Sequence, residues 1–270
     1  MTDLDTGTPD LLVTVTDGIA TVTLSRPERR NALSMAMLAG LRQVLPVLRD
    51  DDAVRVVVVT GSGGAFCAGG DVKRMAGRSP GSDDFDARVA MRRGNHRDIA
   101  LQLWQLPKPT IAALPGPAAG AGLGIALACD LRYAVTGTFL TTAFARVGLA
   151  GDFGVAWFLT QQVGPARARE LLYFSERVSA ADAHRIGLVH EVFDGGDFVD
   201  RVGARARLLA SGPTVAYAAM KENVNRAALG ELPRYLDNEA LLHTRSEFTD
   251  EHRQAARAFA EHRPPTLLTS

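Results

Sequence analysis

Gly116-Pro-Ala-Ala-Gly-Ala-Gly-Leu-Gly-Ile-Ala-Leu-Ala-Cys-Asp130 is the stretch that decides the fold. The apolar run Thr110 to Leu114 ahead of it reads as a buried strand. Four glycines then fall within nine positions, and a small-residue apolar run continues to Cys129-Asp130. The pattern predicts strand, tight turn, helix. Glycine permits positive φ and close approach of another backbone. The first N–H groups of a helix have no partner within it and point outward as donors, and the helix dipole adds positive character there. Such a turn suits an anion, or an oxygen that becomes anionic during a reaction. Close packing of helix on sheet accounts for the same small residues, so both uses stand at this point. Gly120-x-Gly122-x-Gly124 lacks the full G-x-G-x-x-G spacing of a dinucleotide-binding turn, and no acidic residue closes a second strand about 20 residues on.

Outward from this stretch, strands and helices alternate. Leu11 to Thr16 and Ile19 to Leu24 alternate apolar and polar residues around Asp17-Gly18, a hairpin signal. A cation-rich loop leads to a helix from about Ser34, with Met35, Leu38, Leu41, Leu45 and Leu48 on one face. Pro46 is expected to kink or shorten it. Val54 to Thr60 is β-branched almost throughout, as in a parallel strand buried on both faces. Arg74 to Asp98 is the least apolar region, with a loop at 79–84 expected to be mobile and a helix following to about Gln105. Downstream, Leu131 to Val135 reads as a third buried strand, while Leu140 to Leu149 has no clear period. Gly151-Asp-Phe-Gly154 turns into a helix near Val155, and Gly164-Pro165 opens another. Ser179-Ala-Ala-Asp182 is a capping-box variant before a short helix ended by Gly187. Leu188 to Phe193 is a strand. Helices are predicted over 198–211, 214–229, 233–247 and 250–263, with Pro213 at the first helical position. The organisation is α/β, with strand–helix units over 1–195 and a helical part over 196–270.

With 46% hydrophobic and 22% charged residues, the chain has the composition of an ordinary globular protein. Thirty basic and thirty acidic residues cancel, which leaves no electrostatic footprint for nucleic acid or an anionic membrane. Cys67 and Cys129 sit among small apolar residues and read as buried thiols in a reducing compartment. The N-terminus lacks a signal-peptide pattern and no apolar run approaches a membrane span, so the expected location is the cytoplasm. The six histidines, His96 among them, lack metal-ligand spacing and are expected in surface or packing roles, with no metal site. Gly77-Arg-Ser79-Pro-Gly81 mimics a nucleophile elbow, but no buried strand precedes it.

The chain resembles the enoyl-CoA hydratase/isomerase (crotonase) superfamily over nearly its whole length. The matching blocks are Arg26-Pro-Glu-Arg-Arg-Asn-Ala-Leu33, Thr60-Gly-x-Gly-x-Ala-Phe-Cys-Ala-Gly-Gly-Asp71, Pro109-Thr-Ile-Ala-Ala113, Gly116 to Asp130, and Arg177-Val-Ser-Ala-x-Asp-Ala-x-x-x-Gly-Leu-Val189. Within the superfamily, Ala118-Ala-Gly-Ala-Gly122 and Ala143-Phe-Ala-Arg-Val-Gly-Leu-x-x-Asp-Phe-Gly154 resemble the phenylacetate-pathway isomerase branch most. The resemblance implies a spiral of ββα units with a helical C-terminal trimerisation region, assembled as a homotrimer or a dimer of trimers. It also implies an acyl-CoA substrate, with coenzyme A part of that substrate and no separate cofactor.

In such proteins two backbone N–H groups hold the thioester oxygen, and the matching positions are Gly70 and Ala121. Charge develops on that oxygen as an enolate forms, so paired donors stabilise it more than the neutral carbonyl. The two glutamates of a hydratase would fall at Gly124 and Phe144, and neither position carries a carboxylate. A third position, used by several double-bond isomerases, falls at Asp152. One carboxylate, expected in a largely apolar acyl pocket, suffices to move a proton between two carbons. Capping the helix that starts at 153–155 is the structural alternative for Asp152. Phe66, Ala68, Asp71 and Val72 match the segment along the adenine and pantetheine path, Phe144 matches the acyl site, and Arg29 or Arg30 can meet CoA phosphates. Phe259 matches an aromatic that packs near a neighbour's CoA. The leading expectation is a double-bond isomerase with Asp152 as its acid/base. A hydratase or acyl-CoA hydrolase with Asp152 activating water is the enzymatic alternative. It requires a second polar group beside Asp152. An acyl-CoA-binding protein without catalysis, or a scaffold subunit, is the non-enzymatic one.

Overall fold

The computed structural model describes residues 1–70 and 85–229. Its strands, in chain order, are β1 (Thr2–Leu4), β2 (Leu11–Thr16), β3 (Ile19–Leu24), β4 (Val56–Gly61), β5 (Thr110–Leu114), β6 (Ala118–Ala119), β7 (Leu131–Val135), β8 (Phe139–Thr141), β9 (Val178–Ser179) and β10 (Glu191–Phe193). One sheet takes the order β1-β2-β3-β4-β5-β7-β10, and a small second sheet the order β6-β8-β9. β1, β2 and β3 are antiparallel neighbours, whereas β3 through β10 of the large sheet run parallel.

The β2–β3 hairpin closes on Asp17 and Gly18, both at positive φ (51° and 76°). That is the two-residue turn whose twist matches the flanking strands. The parallel strands are buried on both faces and split two cores by period-2 alternation. Val57, Val59 and Ala112 join the main core with helices Met35–Asp50 and Ala121–Ala128. Val56, Val58, Ile111 and Ala113 join a second one with Phe198, Val202, Ala206 and Ala210 of helix Phe198–Ala210.

Helix Ala121–Ala128 links parallel strands β5 and β7, so its N-terminus lies just beyond the end of β5. Asp130 closes this unit. Its Oδ2 accepts from the Thr110 N–H at 2.8 Å and the Thr110 hydroxyl at 2.9 Å. The Lys221 ammonium donates to the same oxygen at 2.9 Å and to the Leu103 and Lys108 carbonyls, which ties helix Thr214–Ala227 to the core.

Several sequence expectations need correction. Met37, not Met35, faces the core; Met35 is 43% exposed. Pro46 sits inside helix Met35–Asp50 without ending it. Pro213 lies one position outside its helix, as the N-cap of Thr214–Ala227. Residues Thr2–Leu4, to which no element was assigned from sequence, pair with β2. The single helix expected up to Gln105 is three pieces: Phe85–Asn95, a π-helical turn His96–Leu101, and Gln102–Gln105. The break at Gly164 is present, with φ 75° and ψ 162° inside Val155–Phe174. Ser179 caps Ala180–Arg185 as expected, accepting from the Asp182 N–H at 3.1 Å. The helices expected over 233–247 and 250–263, the loop at 79–84, Gly77 to Gly81 and Phe259 lie outside the described residues.

Candidate active site

The segment Cys67–Gly70 runs between two others. On one side the Cys67 N–H donates to the Pro117 carbonyl at 3.2 Å, and the Ala119 N–H to the Cys67 carbonyl at 2.9 Å. On the other the Leu33 N–H donates to the Gly69 carbonyl at 2.8 Å. Gly69 holds φ 86°, and a Cβ built on it would lie 2.6 Å from the Ala119 oxygen and 3.2 Å from the Ala121 nitrogen. Only glycine lets this backbone pass so close to the start of helix Ala121–Ala128. Gly70 is the next residue. Its bridge to Leu33 uses the carbonyl of Gly69, so the Gly70 N–H is not spent there.

The first bond inside the helix runs from the Gly124 N–H to the Gly120 carbonyl, at 3.1 Å. The Ala121 N–H therefore has no partner within the helix. Packing and donor roles coexist in this stretch: a Cβ on Gly122 would lie 2.5 Å from the Cys67 carbonyl oxygen. The Cys67 thiol donates to the Asn31 carbonyl at 3.0 Å, and burial pushes its pKa up to about 12. It is inert as a nucleophile at neutral pH. Cys129 is likewise a free, buried thiol raised to about 12.

Beside Gly124 the Cβ and backbone oxygen of Phe153, and at the second position Phe144 itself, occupy the space a glutamate would need. A Cβ on Gly124 would lie 2.7 Å from the Phe153 Cβ, and Phe144, 5% exposed, stands beside Gly120. Phe153 is held at φ 48°, outside the usual range for a bulky residue.

Asp152 does not cap the following helix. Gly154 holds that position, and no side chain caps there. The Asp152 carboxylate, 17% exposed, instead has one oxygen against His96 Nε2 and the other 3.4 Å from the Arg92 guanidinium. The expected apolar surroundings are thus replaced by two polar partners. His96 also stacks on Phe153, with ring centroids 5.2 Å apart, and the Phe153 N–H lies 3.3 Å from its Nε2. His96, expected in a surface or packing role, packs on Phe153 and also meets the Asp152 carboxylate, a contact that had not been anticipated. Arg92 and His96 are four residues apart and share one face of a helix, which was the available signal in the sequence.

Arg29 is exposed on a 3-10 turn, Pro27–Arg29. Beside it the Ala68 N–H donates to the Arg30 carbonyl at 2.9 Å, so the cationic loop and the exposed Ala68 are neighbours. The Phe66 side chain is fully buried, its N–H donates to the Pro117 carbonyl, and its own carbonyl oxygen packs against Gly61. Asp71 and Val72 lie outside the described residues. Among the described residues no three His, Cys, Asp or Glu side chains converge as metal ligands would, and no helix is long and apolar enough to cross a membrane.

A family model described as enoyl-CoA hydratase/isomerase matches residues 14–268. A probable enoyl-CoA hydratase of Rhodobacter capsulatus is 37% identical over 251 residues, covering 93% of this chain and 95% of its own. The 1,2-epoxyphenylacetyl-CoA isomerase of Escherichia coli is 33% identical over 255 residues, covering 94% and 97%. Among solved structures, an enoyl-CoA hydratase assignment from Streptomyces coelicolor A3(2) superposes with a TM-score of 0.90 at 37% identity, covering 97% of this chain and 96% of that one.

Proposed function

The chain belongs to the enoyl-CoA hydratase/isomerase family and has the crotonase fold; from that premise we propose that it shifts a carbon–carbon double bond within an acyl-CoA thioester. Gly70 and Ala121 donate their N–H groups to the thioester oxygen. Asp152 takes a proton from the carbon next to the double bond, the C–H electron pair enters the π system, and the negative charge moves to that oxygen. Asp152 then returns the proton at the other end of the dienolate. Two such donors serve the enolate more than the ground-state carbonyl, and losing one costs on the order of 2.7–4 kcal/mol. The carrying observation is the exchange of chemistry at the helix: Phe153 occupies the room a glutamate at position 124 would need, while Asp152, the residue before it, presents a carboxylate.

Coenzyme A enters as part of the substrate, past Arg29, Ala68 and the segment after Phe66, with Phe144 lining the acyl end. Residues 1–195 form the catalytic core. The C-terminal part from 196, helical in its described residues, is the region through which three copies assemble, as a trimer or a dimer of trimers, in the cytoplasm. A second reading, hydration or hydrolysis by water activated at Asp152, is favoured by one observation. His96 and Arg92 supply the second polar group that such chemistry needs.

The test is turnover of a panel of 2-enoyl and 3-enoyl CoAs in heavy water. Deuterium entering the α or γ carbon without oxygen addition is the expected result, and oxygen addition as the main outcome would replace the first reading by the second. Asp152→Asn should lower kcat by about 10²–10⁴-fold. Turnover at background in both forms would leave only an acyl-CoA binder.

A further inference from the structure

The clamp around Asp152 does more than neutralise it. Its carboxylate is the less exposed member of the group, 17% against 37% for His96 and 43% for Arg92. Both of its oxygens are engaged, one by each partner. A carboxylate free to rotate would present its lone pairs in every direction. One held at both oxygens presents the remaining lone pairs in one.

The two partners come from one helical face, and His96 opens the π-helical turn His96–Leu101. A π turn widens the helix by a residue and re-aims the side chains at its start, which is a recurring device at functional sites. The same turn packs against helices Met35–Asp50 and Ala121–Ala128, so the ring is set on the frame that carries Ala121.

Two groups compete for His96 Nε2. The Asp152 oxygen is far the closer, and a ring nitrogen against a carboxylate oxygen needs a proton between them. The Phe153 N–H at 3.3 Å would need a lone pair instead. The charge-assisted bond wins, which assigns the proton to the Nε2–Asp152 contact.

We propose that His96 is a positioning residue for the Asp152 carboxylate: its Nε2–H fixes one oxygen while Arg92 steadies the other, and this sets the direction in which Asp152 meets the substrate carbon. The inference rests on the reading of Asp152 as proton carrier. It predicts that His96 matters far more for kcat than for substrate binding.

The experiment compares His96→Leu with His96→Gln, whose amide nitrogen can donate near the position of Nε2. His96→Leu should lower kcat about 10–100-fold with KM changed less than about twofold, and His96→Gln should recover most of the loss. Equal impairment of both variants, or a KM effect as large as the kcat effect, would assign His96 to packing. A second measurement does not depend on turnover. In ¹⁵N-labelled full-length protein the His96 ring should carry its proton on Nε2 and change state in Asp152→Asn. A ring protonated on Nδ1 alone, indifferent to Asp152→Asn, overturns the proposal. Failure of the double-bond shift itself would instead appear as no deuterium entry with the wild-type protein on any enoyl-CoA.

Discussion

The proposed oxyanion cradle and the Asp152 corner sit at opposite ends of one helix start and are built by different means. The cradle is backbone. Gly69 passes so close to the start of helix Ala121–Ala128 that a Cβ on it would lie 2.6 Å from the Ala119 oxygen and 3.2 Å from the Ala121 nitrogen. The corner is side chain. Asp152, His96 and Arg92 come from segments about 60 positions apart and are held by partial burial, two ion contacts and the stacking of His96 on Phe153. The difference teaches where each can change. A backbone donor is indifferent to residue type but intolerant of bulk. A side-chain acid tolerates bulk around it, yet one substitution abolishes its chemistry.

Breaking the cradle should have the largest effect. Gly69→Ala adds a Cβ 2.6 Å from the Ala119 oxygen and 3.2 Å from the Ala121 nitrogen, at a φ of 86°. The left-handed backbone costs about 1–2 kcal/mol for a residue with a Cβ. Relief of the clash moves Gly70 away from Ala121, which amounts to losing one donor. The expected result is a fall in kcat of about 10²–10³-fold, with CoA-ester affinity changed far less. Steady-state kinetics beside isothermal titration with a saturated acyl-CoA checks this. A variant that loses binding and turnover in equal measure would place Gly69 in the CoA path instead.

This asymmetry also explains what was legible in the sequence. The glycine pattern of 116–130, the Asp17-Gly18 hairpin and the Ser179 cap are local requirements, and each was met in the structure. Asp152 was legible only through family resemblance, because its local setting also suited a helix cap. The contact of His96 with Asp152 was not read because its partner lies 56 positions away, and the i, i+4 spacing from Arg92 says nothing of what that helix face meets. The π turn was missed because an extra residue inside a helix shifts the side chains without changing their composition. Pro46 misled for a related reason: a proline loses only one hydrogen bond near a helix end, and Leu41, Leu45 and Leu48, buried on either side of it, hold the helix together.

A middle-sized effect tests whether the two regions are mechanically independent. Gly124→Glu would restore a carboxylate where the hydratase pattern has one. Its Cβ would meet the Phe153 Cβ at 2.7 Å and the Phe153 oxygen at 2.9 Å, so overpacking should destabilise the fold by about 1–3 kcal/mol. Made in a Phe153→Gly background, the same change should cost less, since the Phe153 Cβ is gone, although its backbone oxygen stays, and glycine accepts the φ of 48° without strain. Urea midpoints of the four proteins give the coupling directly. Additive costs would mean that the helix start and the Asp152 loop move apart freely, and the contrast drawn between a rigid cradle and an adjustable corner would then need redrawing around Phe153.

The smallest effect comes from a histidine that does structural work alone. His190 Nδ1 accepts the Arg132 N–H at 3.1 Å, and burial first, then the Arg132 charge, lowers its pKa to about 4. An unfolded histidine titrates near about 6.5. Between those values the unfolded chain binds the extra proton and the folded chain does not. Stability is therefore whole above about 6.5 and declines as pH falls toward 4. Solvent at the exposed edge of the ring screens part of this, so the decline is shallow. His190→Asn keeps an acceptor for Arg132 without an ionisable ring. Its urea midpoint should vary less than wild type between pH 6.5 and 4.5, and its kcat should match wild type at neutral pH. That outcome, set beside the kcat loss expected for His96→Leu, separates a histidine kept neutral by burial from one proposed to position a carboxylate. A kcat loss in His190→Asn as large as that in His96→Leu would dissolve the distinction.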